Sequence, residues 1–339
     1  MRIGAPGLIH SCVMRAIVIA KPGGPEVLEL REVPTPAPSR GEVRVRVRAS
    51  VVNRADLLQR LGLYPAPPGS PPDIPGLEIA GEVDAAGEDV TELGVGDRGF
   101  GLVGGGGYAE YVTAHARTLA RVPEGMSLLD AGAVPEAFVT AWDAMVDQAG
   151  LGSGETVLVH AAGSGVGTAA IQIARAIGAR ALGTARTAEK LERARMLGLE
   201  EGIVPDRGKF SDEVRKRTAG RGVDVVVELV GGDYVAQDVA CLAPKGRIVV
   251  VGTMAGTQVE VNLGLLMHKR GVIRGTTLRA RPIEEKILAA RAFERHVVPL
   301  FARGALRPIV DRVLPLARAG EAHQVMQSNE IFGKVVLEV

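Results

Sequence analysis

Between residue 137 and about residue 278 the chain repeats one pattern: a short apolar run, a turn, then a helical stretch. The runs are "TVLVHA" (156–161), "RALGTA" (180–185), "EGIV" (201–204), "VDVVVELV" (223–230), "GRIVVVG" (246–252) and "VIRGTTL" (272–278). Valine and isoleucine follow one another without polar alternation, as strands covered on both faces require, and such strands belong to parallel sheets. Helices are expected around 166–178, 187–198, 210–220, 233–243 and 264–270. In the first, Val166, Ala170, Ile173 and Ile177 recur every three or four residues, giving one face to lie on the sheet. Six strands joined by crossover helices specify an α/β, doubly wound, six-stranded parallel sheet of the Rossmann kind.

The flanking segments read differently. From residue 14 to about 136, "VRVRVRASVV" begins with strict alternation, and "GLEIAGEVDAAG", "GDRGFGLV" and "YAEYVTAH" read as further strands. "PAPPGSPPDIPG" can only be an extended loop. This series suggests a small β-rich barrel or partly open sheet. After residue 279 come a long amphipathic helix ("IEEKILAARAFERHVVPLFARG"), a short strand, a helix and a last strand, "GKVVLEV". These are too few for a third domain. The expected division is 14–136 with 279–339, around a central 137–278, as a length of 339 residues favours two cores. Residues 1–13 read as a disordered extension before Met14 and lack the apolar stretch of a signal peptide.

The loop "HAAGSGVGTAA" (160–170) joins the first central strand to its helix, with glycines at 163, 165 and 167 and Thr168 where a G-x-G-x-x-G would end. Backbone must touch a pyrophosphate here, and no side chain from Ala161 to Gly165 exceeds a hydroxymethyl. Ser164, Gly165, Val166 and Gly167 are therefore read as dinucleotide-binding. The second strand selects the dinucleotide. It ends "GTARTAEK", with Thr184 and Arg186 and no acid before Glu189, so Arg186 and Lys190 are expected to pair with the 2′-phosphate of NADP(H). Ligands of such sheets lie beyond the carboxyl ends of the strands. That adds Leu229 and Val230 after the fourth strand, and Gly252, Thr253 and Met254 after the fifth.

A net charge of +1 offers no basic field for nucleic acid or an anionic membrane surface, and no window reaches a membrane-spanning length of apolar residues. Two cysteines make neither a disulfide framework nor a four-cysteine zinc site, and fit a reducing, cytoplasmic setting. His160 reads as a loop hydrogen-bonder, Cys241 as core, and Asp56 as a loop-fixing acceptor.

Five separated motifs carry a resemblance: "VNRADLLQRLGLYPAPPG" (52–69), "PGLEIAGEV" (75–83), "GGGGYAEYV" (104–112), "VPEAFVTAW" (134–142) and "HAAGSGVGTAAIQIA" (160–174). Together they resemble the zinc-independent, zeta-crystallin-like and p53-inducible quinone oxidoreductases of the medium-chain dehydrogenase/reductase superfamily. The resemblance implies a GroES-like β-rich catalytic domain, a Rossmann domain and a cleft between them. It also implies no metal, since zinc relatives carry a cysteine where this chain has Asn53, and G-H-E where it has Gly76-Leu77-Glu78. The implied reaction is hydride transfer from NADPH to a quinone, with an enone or alkenal as the alternative acceptor. A nucleotide-bound RNA-binding or crystallin-like role is the non-enzymatic alternative. By the same resemblance Asn53 faces the nicotinamide and an acceptor carbonyl, Tyr64 edges the substrate cleft and Thr140 lies near the nicotinamide. Leu278 in "TTLRAR" and Lys334 in "FGKVVL" lie close to the cofactor. The family's tyrosine beside the 2′-phosphate is replaced here by Pro205. Subunits are expected to pair through the strand "VIRGTTL" into a homodimer, possibly a homotetramer.

Overall fold

The computed structural model describes residues 13–339. The expected extension otherwise lies outside the described residues, and Val13 already opens the first strand.

A hairpin of β1 (Val13–Ile19) and β2 (Leu28–Pro34) stands apart from two larger sheets. The first of these is built from β3 (Glu42–Val52), β4 (Glu78–Ala86), β5 (Arg98–Leu102), β6 (Tyr111–His115) and β7 (Leu119–Arg121). In β3 the alternation is used as read: Val43, Val45 and Val47 are buried in one apolar cluster, while the intervening arginines face outward. From Ala49 onward the alternation stops because the strand is covered on its other side as well; Ala49 and Val51 pack with Ala133 in a second cluster.

The second sheet contains β8 (Thr156–Val159), β9 (Arg180–Thr184), β10 (Leu199–Ile203), β11 (Val223–Glu228), β12 (Leu242–Val250) and β13 (Val272–Gly275), in the order β10-β9-β8-β11-β12-β13. Every pairing is parallel. The order reverses between β8 and β11, so the carboxyl ends of these two strands flank the crevice where such folds take ligands. Two further strands, β14 (Val310–Pro315) and β15 (Lys334–Glu338), cross back to the first sheet, where β15 lies between β14 and β3.

Helices α1 (Arg54–Arg60), α2 (Leu128–Gly132) and α3 (Pro135–Trp142) lead toward β8. Then α4 (Gly165–Ala176), α5 (Ala188–Arg195), α6 (Ser211–Arg217), α7 (Tyr234–Cys241) and α8 (Leu263–Lys269) supply the crossovers. Helix α4 departs from its expected single face. Gly167 through Ala174 are all buried, since Ala137, Phe138 and Ala141 of α3 join the cluster that holds Ala169, Ala170 and Ile173. Alanine on both sides lets the two helices approach closely. The expected long helix after residue 279 is two, α9 (Ile283–His296) and α10 (Val298–Ala302), because Pro299 has no N–H to continue the ladder. The last helix is α11 (Ala319–Ser328). No helix among the described residues is long and apolar enough to cross a membrane.

Candidate active site

The glycine-rich loop turns at Ala161, whose φ of +46° is left-handed, and enters α4 at Ser164. The Ser164 hydroxyl caps the helix by accepting the Gly167 N–H at 3.0 Å. Glycine is required at 167: a Cβ there would stand 2.3 Å from the Ala161 carbonyl oxygen. At Gly165 a Cβ would stand 2.4 Å from the stem of Lys334. Val166 is half-buried against the core. A three-turn helix starting in such small residues leaves its first N–H groups facing the crevice, and this cradle fits a pyrophosphate.

Beyond β9 the chain gathers cations. Lys190 Nζ donates to the Asn329 carbonyl at 2.5 Å, Arg186 to the same oxygen at 3.4 Å, and Arg54 to the Asn329 side-chain oxygen. The Arg193 guanidinium lies over the Phe332 ring, 4.2 Å from its centroid. Burial and then the neighbouring Arg186, Arg193 and Arg54 push the Lys190 ammonium below its ordinary pKa, with Asp311 pulling the other way. Burial and Arg186 do the same to Arg54. Like charges held together in this way fit a dianion. The sequence named Arg186 and Lys190 for this role but not Arg54. Its signal was present: an arginine at the first position of a helix, where the dipole disfavours a cation, needs another reason to be there.

Thr184 is turned inward, its hydroxyl 2.8 Å from His160 Nδ1. His160 Nε2 lies 2.8 Å from Asp238 Oδ1 and 3.7 Å from Glu228 Oε2, and all three residues are fully buried. Among the described residues this is the only trio of such groups at metal-ligand spacing. His160 is bonded on both ring nitrogens, but Glu228 Oε2 and Asp238 Oδ2 are buried without a hydrogen-bond partner among the described residues. Burial holds His160 down at about 4, and burial first of all pushes Glu228 and Asp238 up to about 8, leaving a neutral ring beside protons shared by the acids. Glu228 Oε1 accepts the N–H groups of Val230 and Gly231 and so fixes the loop after β11. That loop meets the one after β12: Ala255 N donates to Val230 O at 2.7 Å, and a Cβ on Gly231 (φ +77°) would stand 2.6 Å from Thr253 Cα. Leu229, Val230 and Gly252 are half-buried there, whereas Thr253 and Met254 are exposed.

Facing α4 from the first sheet is a buried trio. Lys334 Nζ donates to Asn53 Oδ1 at 2.6 Å and stands 2.7 Å from Glu78 Oε1. Asn53 Nδ2 donates to Glu78 Oε1 at 2.9 Å and to Val51 O at 3.3 Å. Both amide hydrogens of Asn53 are thus engaged within the chain, so the contact with an acceptor carbonyl expected from the sequence would have to displace one. Asp56 does the loop-fixing work, accepting the N–H groups of Asn53 at 2.8 Å and Gly76 at 2.9 Å. Glu78 went unassigned in the sequence although the "GLEIAG" motif contains it; its other oxygen accepts the Glu136 N–H at 2.8 Å.

A cavity of about 850 Å³ opens beside this trio, walled by Phe100, Leu102, Glu136, Val139, Leu278 and Arg279 among others. Leu278 lines this cavity, whereas Asn53, Tyr64 and Thr140 do not. Thr140 is buried on α3, next to Val139. The Tyr64 ring lies 5.1 Å below the Arg279 guanidinium and its hydroxyl 3.5 Å from Thr277 Oγ1. Arg279, also missed, ties the cleft together by donating to Gly104 O at 2.9 Å and Gln59 Oε1 at 2.6 Å.

The chain is similar in sequence and fold to known proteins. The "Alcohol dehydrogenase GroES-like domain" family matches residues 39–124, and the "Zinc-binding dehydrogenase" family residues 165–294. Human quinone oxidoreductase is 34% identical over 331 residues, which span 96% of this chain and 98% of the human one. The crystal structure of a Pseudomonas syringae pv. Tomato quinone oxidoreductase superposes with a TM-score of 0.85 at 29% identity, over 96% of this chain and 100% of that one. A mycobacterial protein complexed with NADPH superposes at 0.84 and 29% identity, over 96% and 100%. The cleft of this chain does not fit the zinc of the family description. Asn53, Leu77 and Glu78 bring neither thiolate nor imidazole, and the Lys334 ammonium already stands between the oxygens that a cation would need.

Proposed function

The chain belongs to the quinone oxidoreductase family of the medium-chain dehydrogenase/reductase superfamily, and from that premise we propose that it is an NADPH-dependent, metal-free quinone reductase. The observation that carries the reading is the Lys334 ammonium, 2.6 Å from Asn53 Oδ1 and 2.7 Å from Glu78 Oε1. A fixed internal cation takes the place of a Lewis acid, which leaves binding, alignment and the exclusion of water as the work of the protein.

A bound reduced nicotinamide supplies the hydride. The N–H groups of Gly165 and Val166 hold the pyrophosphate, while Ser164 caps the helix through the Gly167 N–H and the missing side chain of Gly167 lets the turn close. Arg54, Arg186 and Lys190 hold the 2′-phosphate, and no carboxylate after β9 is placed to take ribose hydroxyls instead. Leu229, Val230, Gly252, Thr253 and Met254 border the crevice on its other side. Asn53 and Glu78 keep Lys334 against α4, Leu278 and Arg279 line the cavity that takes a flat conjugated acceptor, and Thr140 beside Val139 and Tyr64 beneath Arg279 support that lining. The open edge of β13, all four of whose residues are exposed, supports pairing of two copies.

The test is the loss of NADPH absorbance on adding ortho- and para-quinones and alkenals to protein dialysed against a chelator, with NADH in parallel. Chelator-resistant turnover of quinones, faster with NADPH, is expected. Tight NADPH binding without turnover of any acceptor would make the protein a non-catalytic nucleotide binder.

A further inference from the structure

We propose that Glu136 is the proton donor of the cavity, the acid that neutralises the oxygen anion left on an acceptor once a hydride has arrived. The proposal rests on the reductase reading above.

Glu136 follows Pro135 in the first turn of α3. Its own N–H is fixed on Glu78 Oε2 at 2.8 Å, so the residue is anchored to the Asn53–Glu78–Lys334 trio by its backbone while its carboxyl is left over. Glu136 lines the cavity, and among the described residues none donates a hydrogen bond to its carboxyl. The acids of and beside the trio are engaged, Glu78 by Asn53, Lys334 and the Glu136 N–H, Asp56 by Asn53, Gly76 and Tyr108; of the cavity's two further acids Glu42 accepts the Ser39 N–H and Asp73 is exposed to solvent. An acid held beside the trio, facing a cavity and bonded to nothing is the arrangement that proton transfer requires. Tyr64, by contrast, does not line the cavity, and its phenol lies 3.5 Å from Thr277 Oγ1.

The charges around it suit the task. Glu78 of β4 and Asp56 of α1 oppose ionisation, while Lys334 of β15 and Arg279 favour it; Lys286 of α9 lies on the same cavity wall. Burial and then Glu78 dominate, pushing the carboxyl up to about 7, where acid and carboxylate are both populated at neutral pH. The step balances. Hydride from the reduced nicotinamide carries two electrons to the acceptor and leaves an oxyanion. The Glu136 O–H bond then breaks as the new O–H forms on the acceptor, giving a hydroquinone and a carboxylate, which water entering the cavity reprotonates.

The experiment compares wild type, Glu136→Gln and Glu136→Asp across pH with NADPH and a quinone, alongside NADPH binding by fluorescence and thermal melting. Wild-type kcat should fall about tenfold per pH unit above roughly pH 7. Glu136→Gln should lack that limb, lose about 10²-fold in kcat at pH 6 and keep its NADPH affinity within about twofold. Glu136→Asp, with the acid one methylene further back, should keep the limb at a reduced rate. Wild-type rate and an unchanged limb in Glu136→Gln overturn the proposal while leaving the reductase intact. If Glu136→Gln does not fold, Glu136→Asp decides: an unaltered rate and midpoint overturn it. A wild type that oxidises no NADPH overturns the reductase reading and this one with it.

Discussion

Replacing Lys190 by methionine should discriminate between the two nicotinamide dinucleotides more sharply than any change at Arg186. Lys190 is half-buried and donates to Asn329 O at 2.5 Å, whereas Arg186 is exposed and reaches the same oxygen only at 3.4 Å. A charge-assisted contact with a phosphate contributes about 1.5–3 kcal/mol, a factor of roughly 10 to 150. An exposed cation, screened and mobile, contributes about 1 kcal/mol or less. The repulsion of Arg54, Arg186 and Arg193 on Lys190 in the free protein is relieved when Lys190 is removed, which places the expected loss in the lower half of the range. KM for NADPH should therefore rise about 10- to 50-fold in Lys190→Met and about threefold to fivefold in Arg186→Ala, with KM for NADH unchanged within about twofold in both. The assay is initial rates with each cofactor at saturating quinone, repeated at low and high salt; the NADPH preference of wild type should shrink as screening shortens to about 3 Å at 1 M. Equal losses for NADPH and NADH, or a larger effect at Arg186, would refute the assignment of this cluster to the 2′-phosphate.

Three further outcomes are expected. Lys334→Met strands the Glu78 carboxylate in a buried setting and should cost about 3–5 kcal/mol in urea unfolding, with most of it recovered in Lys334→Met/Glu78→Gln; a loss under about 1 kcal/mol would show the pair to be dispensable. His160 is held down at about 4, so the stability it contributes is full above about pH 6.5 and is lost as pH falls toward 4. Glu228 and Asp238 are held up at about 8, so theirs is full below about pH 4 and is lost as pH rises through 8. The melting temperature should then decline between about pH 6.5 and 8, where these two acids and Glu136 titrate and His160 does not, and Asp238→Asn should reduce that decline; superimposable profiles would contradict it. If two copies pair through the exposed strand β13, wild type should sediment as a dimer and Ile273→Lys as a monomer; a monomeric wild type, or a dimer unaffected by the change, would refute that pairing.

The second sheet was legible because its strands are apolar throughout and each is followed by a helix, a pattern with few other solutions. The glycine-rich loop was legible for the same reason, since only small residues fit a 2.3 Å approach to Ala161 O. What remained hidden depends on separations that no local pattern records. Glu78 and Lys334 are ordinary charged residues within their own strands and become a trio with Asn53 only when β15 returns to β3. Glu136 lay inside a quoted motif, yet nothing local says that its N–H would be used by Glu78 and its carboxyl left free. His160 was read as a loop residue because the acids around it come from 68 and 78 positions away; Glu228 and Asp238 meet it only in the folded sheet. Helix α4 was given one buried face because the periodicity of a single helix carries no information about α3 on its far side.

The insertion of β15 between β14 and β3 sets an order of events during synthesis. Lys334 and Asn53 are separated by 281 positions, so β3 leaves the ribosome long before its neighbour exists. Until then residues 49–52 at the end of β3 lack a partner on that edge, β6 covering only residues 42–46, and offer unsatisfied amides and carbonyls to any passing extended peptide. A nascent chain halted short of β15 would therefore be both inactive and sticky, and slow translation through the α9–α11 region should raise its demand for chaperones.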